Sequence, residues 1–277
     1  MSAGAALETG LLTLSDRGRL AYQIQGRDDG TLPVLVLRPL GGSSALWGAF
    51  RERLSGSFRV VSFDWRGSGN SSKERRWPST QSLSEDALQV LEQLRIPRAH
   101  VFGISLGGMS ATWLALRAPG RVEKLCLAST PALGLELSHA GLRRELSMAA
   151  CLARSGADVE VALVNRILSR HFRQTQPERV LELEHLLRER PASRTSLLKH
   201  AWAGLRHDVR RELASVRAPT LVLGGALDYW LGTEASRAVA RAIPGARFEL
   251  IADAGHDLTL EQPVAVAARV SEFLAAA

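Results

Sequence analysis

The sequence predicts an α/β fold: a mostly parallel, eight-stranded sheet with helices on both faces and a helical block inserted late in the chain. Three observations lead there. Short apolar runs alternate with amphipathic segments through most of the 277 residues, as in parallel strands that are buried on both faces and joined by helices. A Gly-x-Ser-x-Gly turn, Gly103-Ile104-Ser105-Leu106-Gly107, stands between a β-type run and a helix-like one. From Gly134 to about Val216, helical periodicity replaces the alternation.

Taken in order, Leu11–Leu14 and Leu20–Gln25 read as two short strands around an Asp16-Arg17-Gly18 turn, a hairpin. Pro33–Leu37 is a continuous apolar run, hence a buried strand. Ser44–Leu54 reads as a helix with Leu46, Trp47, Phe50 and Leu54 on one face. Phe58–Phe63 is another buried strand. Leu83–Leu94 is an amphipathic helix opened by Ser82 or Ser84, with Glu85 and Asp86 in its first turn. Ala99–Phe102 feeds the glycine–serine turn, a helix over Met109–Leu116 follows, and Pro119-Gly120 ends it. Val122–Leu127 is the sixth strand. The block that follows reads as helices near Leu142–Arg154, Val159–Phe172, Glu178–Glu189 and Ser193–Leu205, punctuated by Pro177 and Pro191. Strand Thr220–Leu223, helix Thr233–Ala242, strand Arg247–Ile251 and helix Val264–Leu274 close the pattern. The expected organisation is a core of residues 1–133 and 217–277, with 134–216 inserted as a helical cap between the sixth and seventh strands.

Composition narrows the function classes. Hydrophobic residues make up 45% of the chain, ample for a sizeable core. The net charge is +7, carried almost wholly by arginine; only Lys73, Lys124 and Lys199 are lysine. The arginines are scattered through amphipathic segments without runs or interleaved aromatics, so they predict a solvated surface and no nucleic-acid partner. No apolar run is long enough to span a bilayer, so no membrane partner is expected. Residues 1–10 read as neither signal nor transit peptide. Two widely spaced cysteines, Cys126 and Cys151, suggest a reducing, cytoplasmic setting. No metal or nucleotide motif is visible, so neither a metal nor another cofactor is expected.

The chemistry gathers around Ser105. A strand–turn–helix context around Gly-x-Ser-x-Gly forces the serine into strained backbone and presents its hydroxyl beyond the sheet edge. A serine is a poor nucleophile without a base, and the base needs an orienting acid. His256 follows a predicted strand directly, and so does Asp228. Ligand sites of open α/β sheets lie at the carboxyl ends of the strands, so all three residues fall at one edge. Asp253 and Asp257 flank His256 and are second choices for the acid. Five of the other six histidines, His139, His171, His185, His200 and His207, read as surface or cap residues. Asp64 and Arg66 read as a structural turn.

With the order Ser105, Asp228, His256 established, the whole chain resembles the α/β-hydrolase family, in its capped, esterase-like branch. The matching pieces are Asp64-x-Arg66-Gly67-x-Gly69-x-Ser71, Gly103 to Gly108, Gly225-x-x-Asp228, and Gly255-His256 followed by Leu260-Glu261-Gln262-Pro263. Within that branch, Gly103 to Met109, with Trp113-Leu114-Ala115 and Pro119-x-Arg121-Val122, is most similar to 3-oxoadipate enol-lactonase-like proteins. The resemblance implies an α/β-hydrolase fold and a serine hydrolase acting on a small ester or lactone through an acyl-enzyme. Ser105 would be the nucleophile, His256 the base and Asp228 its orienting acid. It also implies an oxyanion hole from the backbone N–H groups of Leu40 and Leu106, where Arg38-Pro39 replaces the His-Gly of most relatives. C–C bond hydrolysis, thioesterase action and cofactor-free perhydrolysis stay open on the same three residues, as does a non-catalytic ligand-binding protein on this fold. Arg38 either reaches an anionic substrate or, preferably, bonds loop carbonyls. Trp47, Trp65 and Trp230 follow strand ends and are pocket candidates, with Met148 and Phe172 from the cap; Trp113 and Trp202 read as core. Arg143, Arg144, Arg166, Arg170 and Arg173 are candidates for a carboxylate clamp.

Overall fold

A computed structural model describes residues 7–134, 139–154, 158–189 and 191–276. The chain order is β1 (Glu8–Thr13), β2 (Arg19–Gln25), β3 (Val34–Leu37), α1 (Gly48–Ser55), β4 (Val60–Phe63), α2 (Thr80–Gln93), β5 (Ala99–Ile104), α3 (Leu106–Arg117) and β6 (Val122–Ala128). Then come α4 (His139–Leu152), α5 (Asp158–Ile167), α6 (Arg170–Thr175), α7 (Pro177–Glu189) and α8 (Arg194–Leu205). The chain closes with β7 (Thr220–Gly225), α9 (Thr233–Ala242), β8 (Arg247–Ile251), α10 (Leu258–Glu261) and α11 (Pro263–Ala275). The reading of the extreme N-terminus falls partly on residues 1–6, outside the described residues, as does the side chain of His139.

The eight strands form one sheet in the order β1-β2-β4-β3-β5-β6-β7-β8. The hairpin β1–β2 and the pair β2–β4 are antiparallel; every other pairing is parallel. Side chains alternate across each strand, and the two faces sort cleanly. Leu35, Leu37, Val61, Phe63, Val101 and Leu125 pack one way, against Leu83 and Val90 of α2, Leu114 of α3 and Val239 of α9. Val34, Val36, Val60, Phe102, Ile104 and Cys126 pack the other way, against Phe50 and Leu54 of α1 and Val266 and Val270 of α11. Both faces are therefore dry, which explains why these strands read as unbroken apolar runs. Among the described residues no helix is long and apolar enough to cross a membrane.

Several boundaries differ from the sequence reading for identifiable reasons. The region Ser44–Leu54 starts as a 3-10 turn, Ser44–Trp47, before α1. Helix α2 begins earlier than predicted, because Ser79 is the cap: its Oγ accepts from Ser82 N–H while Ser82 Oγ reaches back to the Ser79 amide. The predicted helix Val159–Phe172 is two helices. Ser169 adopts an extended backbone and caps α6 through Phe172 N–H, while its own amide and hydroxyl bond the Glu261 carboxylate.

The five helices α4–α8 all lie between β6 and β7. Their two chain ends meet in an isolated bridge, Leu133 to Asp208, reinforced by Gly134 N–H to His207 O. Beyond it, Val209, Leu213 and Val216 pack into the sheet's own core.

Candidate active site

The turn after β5 is shaped by sterics. A Cβ on Gly103 would lie 2.6 Å from the Gly107 carbonyl oxygen, and one on Gly107 would lie 2.1 Å from that of Leu37. Only glycine lets strand, turn and helix approach this closely. Ser105 between them is held at φ 53°, ψ −119°, a strained backbone that costs about 1–3 kcal/mol. Hydrogen bonds from Ser105 N–H to Ala128 O and from Met109 N–H to Ser105 O keep it there.

His256 and Asp228 come to the same edge. His256 follows β8 and Asp228 follows β7. The Asp228 carboxylate lies 3.0 Å from His256 Nδ1, and His256 Nε2 lies 2.9 Å from Ser105 Oγ. An ionised carboxylate only accepts, so Nδ1 carries the proton and the Nε2 lone pair receives the serine hydroxyl. Burial by itself would raise the Asp228 carboxyl. The facing His256, its hydrogen bond, and the N–H groups of Leu231 and Trp230 outweigh burial and hold the group below its ordinary value. Asp257 does not take this place. Its carboxylate accepts from Trp47 Nε1, Thr259 Oγ1 and Leu260 N–H, and burial pushes its carboxyl up. Asp253 lies on the exposed side of its turn.

A cavity of about 110 Å³ opens over Ser105, smaller than the ~150 Å³ engineered cavity that accommodates benzene. Its lower wall includes Leu40, Leu106 and Met109; its upper wall comes from the inserted helices, with Met148, Leu163 and Val164 among the apolar residues. Leu106 opens α3, where the first N–H groups have no intrahelical acceptor, and Leu40 sits in the loop after β3. Trp47, Trp230, Met148 and Asp257 line the cavity.

Other pocket candidates lie elsewhere. Arg38 is 1% exposed and sits behind Trp47, donating to the carbonyls of Phe63, Gly41 and Gly42 and pairing with Asp64. Its chain runs inward because those loop carbonyls need donors, so it does not line the cavity. Phe172 does not line the cavity; it packs with Leu168, Leu183 and Leu187 of the inserted helices, behind Trp47. Trp65 is buried in the sheet core and donates to Arg38 O. Trp202 is not core: it is 43% exposed, beside Trp77. Of Arg143, Arg144, Arg166, Arg170 and Arg173 only Arg144 reaches the cavity wall, and its guanidinium is bound to Glu145 and the Gly134 carbonyl. Arg143, Arg166, Arg170 and Arg173 are exposed outside it. Asp64 and Arg66 serve the turn: Asp64 accepts from Ser44 N–H, and Arg66 forks onto Asp86.

Three polar residues at the site escaped the sequence reading. Glu160 of α5 is buried and accepts from the amides of Gly42 and Ala192, so the helix block grips the loop carrying Leu40. Burial pushes its carboxyl up, and those amides and Arg38 oppose the shift only in part. Glu261 of α10 holds Ser169 while His256 N–H donates to Ile167 O, which ties the histidine loop to the same block. The signal for Glu160 was available: a glutamate set among Val159, Val161 and Leu163 on an apolar helix. His200 of α8 lines the cavity, is 1% exposed, and has no hydrogen-bond partner for either ring nitrogen among the described residues. Leaving such groups unpaired costs about 1–3 kcal/mol each. Helical periodicity puts His200 on the face of Leu197 and Ala203, but a buried face reads the same whether it meets another helix or a cavity.

A family model described as alpha/beta hydrolase fold matches residues 33–263. The 3-oxoadipate enol-lactonase 1 of Acinetobacter baylyi is 30% identical over 245 residues, covering 88% of this chain and 88% of that protein. A solved hydrolase from Pseudomonas aeruginosa is similar at 31% identity and TM-score 0.84, over 97% of this chain and 99% of that one. The enol-lactonase from Burkholderia xenovorans is similar at TM-score 0.85 and 25% identity, over 96% and 100%.

Proposed function

The chain belongs to the α/β-hydrolase family, and from that premise we propose that it is a serine hydrolase cleaving a small, uncharged carboxylic ester or lactone. The observation that carries the reading is the bond from Ser105 Oγ to His256 Nε2, 2.9 Å long, at the floor of an apolar cavity. Ser105 Oγ attacks the carbonyl carbon as His256 Nε2 takes its proton. The oxyanion is held by the N–H groups of Leu40 and Leu106. The tetrahedral adduct collapses, the C–O bond breaks, and the leaving alcohol receives the proton from His256. Water then enters by the same route, releases the acid and restores Ser105. Asp228 stays ionised throughout and keeps the imidazole in the required tautomer. Helices α4–α8, within residues 134–216, act as a cap that keeps bulk water from the acyl-enzyme. An uncharged substrate fits because the charged groups of the wall are already paired: Arg144 with Glu145, Glu160 with two amides, Asp257 with Trp47 and Thr259. A reducing compartment fits the buried free thiols Cys126 and Cys151.

The test is labelling with a fluorophosphonate together with p-nitrophenyl butyrate hydrolysis. Wild type should label at Ser105 and turn over. Ser105→Ala should fold, fail to label and lose about 10³-fold or more in kcat. Unlabelled wild type, or full turnover by the variant, removes the mechanism and favours a non-catalytic binding protein.

A further inference from the structure

This inference rests on the serine hydrolase reading and names what else the substrate carries. Helix α8 lies along the reacting end of the cavity. At its start, Leu197 meets the loop behind Leu40: a Cβ on Gly41 would lie 3.4 Å from Leu197 Cδ2. At its end, a Cβ on Gly204 would lie 3.8 Å from Leu106 Cδ1, beside the nucleophile. His200 is three residues after Leu197 and four before Gly204, so it shares their face of the helix. It therefore stands about one helical turn, ~5.4 Å along α8, from the contact with Leu106.

The imidazole there is 1% exposed and lines the cavity, yet neither ring nitrogen has a partner among the described residues. Buried polar groups in folded proteins are nearly always paired, so an orphaned ring facing a ligand cavity calls for an explanation. Its chemistry is that of a neutral ring. Burial, with Arg38 and Lys199 adding to it, pulls its pKa down to about 4. A neutral imidazole offers one N–H donor and one lone pair. It suits a hydroxyl, ketone or amide better than a carboxylate, and the remaining wall on that side, Ala201, Gly204 and Leu205, offers no side-chain polar group to compete.

We infer that His200 is a specificity-determining residue that hydrogen-bonds an uncharged polar group of the substrate, a hydroxyl or carbonyl a few bonds from the scissile carbonyl. A site built to bond such a group discriminates against analogues lacking it, because its own polar atoms are then left unpaired.

The experiment compares p-nitrophenyl butyrate with the 3-hydroxybutyrate, and the pentanoate with the 4-oxopentanoate. The readout is the polar-to-apolar ratio of kcat/KM within each pair. In His200→Leu that ratio should fall about tenfold for at least one pair, and His200→Gln, which still donates and accepts, should restore part of it. Ratios within twofold of wild type for both pairs overturn the inference. A second measurement needs neither turnover nor a variant. The ring 15N resonances of His200 should respond to 3-hydroxybutyramide and not to butyramide. Equal responses within both this pair and the pair 4-oxopentanamide and pentanamide, including none to any of the four, overturn it as well. Because the amide arm requires no chemistry at Ser105, its failure is distinguishable from failure to label with fluorophosphonate, which strikes the serine reading instead.

Discussion

Asp228 is buried yet holds its charge, because its two oxygens have separate tasks. One accepts from the amides of Trp230 and Leu231, and the other faces the His256 ring. The folded-state pKa lies below the ordinary carboxylate value, so the group is ionised over the whole range in which a neutral histidine can act as base. Asp228→Asn replaces the acceptor facing Nδ1 with an amide that donates equally well. The proton then moves to Nε2, where it blocks the serine. The expected result is a fall in kcat of about 10⁴-fold, the loss seen for this change in a serine protease, with little change in melting temperature. Kinetics and a thermal melt on the same preparation check it; a loss under tenfold would place the orienting acid elsewhere.

Among the elements, the important joints are between the inserted helices and the loops that carry Leu40 and His256. Glu160 reaches from α5 to the amide of Gly42, and Glu261 reaches from α10 to Ser169 between α5 and α6. Each buried carboxylate offers acceptors to backbone N–H groups that would otherwise be orphaned. In Glu160→Gln one oxygen becomes an NH₂, which faces an N–H donor and leaves one of the two amides unpaired. The expected cost is about 1–3 kcal/mol of stability. If the loop carrying Leu40 shifts as a result, kcat drops by about tenfold while KM changes less, because the oxyanion hole proposed at Leu40 would act mainly in the transition state. A variant that melts earlier but keeps wild-type kcat would show that Glu160 supports the inserted helices alone. The same joints explain why α5 and α6 are separate helices. Ser169 is turned out of helical geometry by a carboxylate 92 residues away in sequence, and no pattern local to residues 159–172 carries that information.

At the scale of the molecule, buried ionisable groups set how stability follows pH. His200 and His207 both have pKa values lowered from 6.5 to about 4, mainly by burial. Between those limits the unfolded chain binds protons that the folded chain excludes. Stability from these groups is therefore complete above pH 6.5 and lost on acidification toward pH 4, by about 3 kcal/mol for each histidine. Glu160, Asp257 and Glu261 act in the opposite sense. Burial raises their carboxyls, so their contribution falls as pH rises through the carboxylate range. A difference between variants isolates one group from this balance. His207→Gln keeps a partner for Thr80 Oγ1, which now bonds His207 Nδ1, and cannot take up a proton. Relative to the variant, wild type should lose about 3 kcal/mol of unfolding free energy between pH 7 and pH 4. Urea melts at the two pH values measure it; a constant gap would mean that His207 titrates normally in the folded chain.

The sequence by itself determined the sheet, the sharp turn at Ser105 and the positions of Asp228 and His256 at strand ends. These are local properties. Two-sided burial writes itself into Val34–Leu37 and Val60–Phe63 as unbroken apolar runs, and the close approach at Gly103 and Gly107 admits no other residue. The tertiary structure alone decided what the inserted helices present to the cavity. An apolar stripe on such a helix reads the same whether it packs on another helix, as Phe172 does, or faces a ligand space, as Met148 and Leu163 do. For polar side chains the sequence leaves alternatives that only the tertiary structure separates. Arg38 turned inward because the carbonyls of Gly41, Gly42 and Phe63 needed donors. His200 met the cavity because Gly67 and Gly134 let α8 settle close: a Cβ on Gly67 would lie 2.4 Å from Ser196 Cβ, and one on Gly134 would lie 1.8 Å from the Gly204 carbonyl oxygen. The Phe63 carbonyl, 25 residues from Arg38, and the elements that α8 packs on lie far off in the chain, and periodicity along one helix records only its own neighbours.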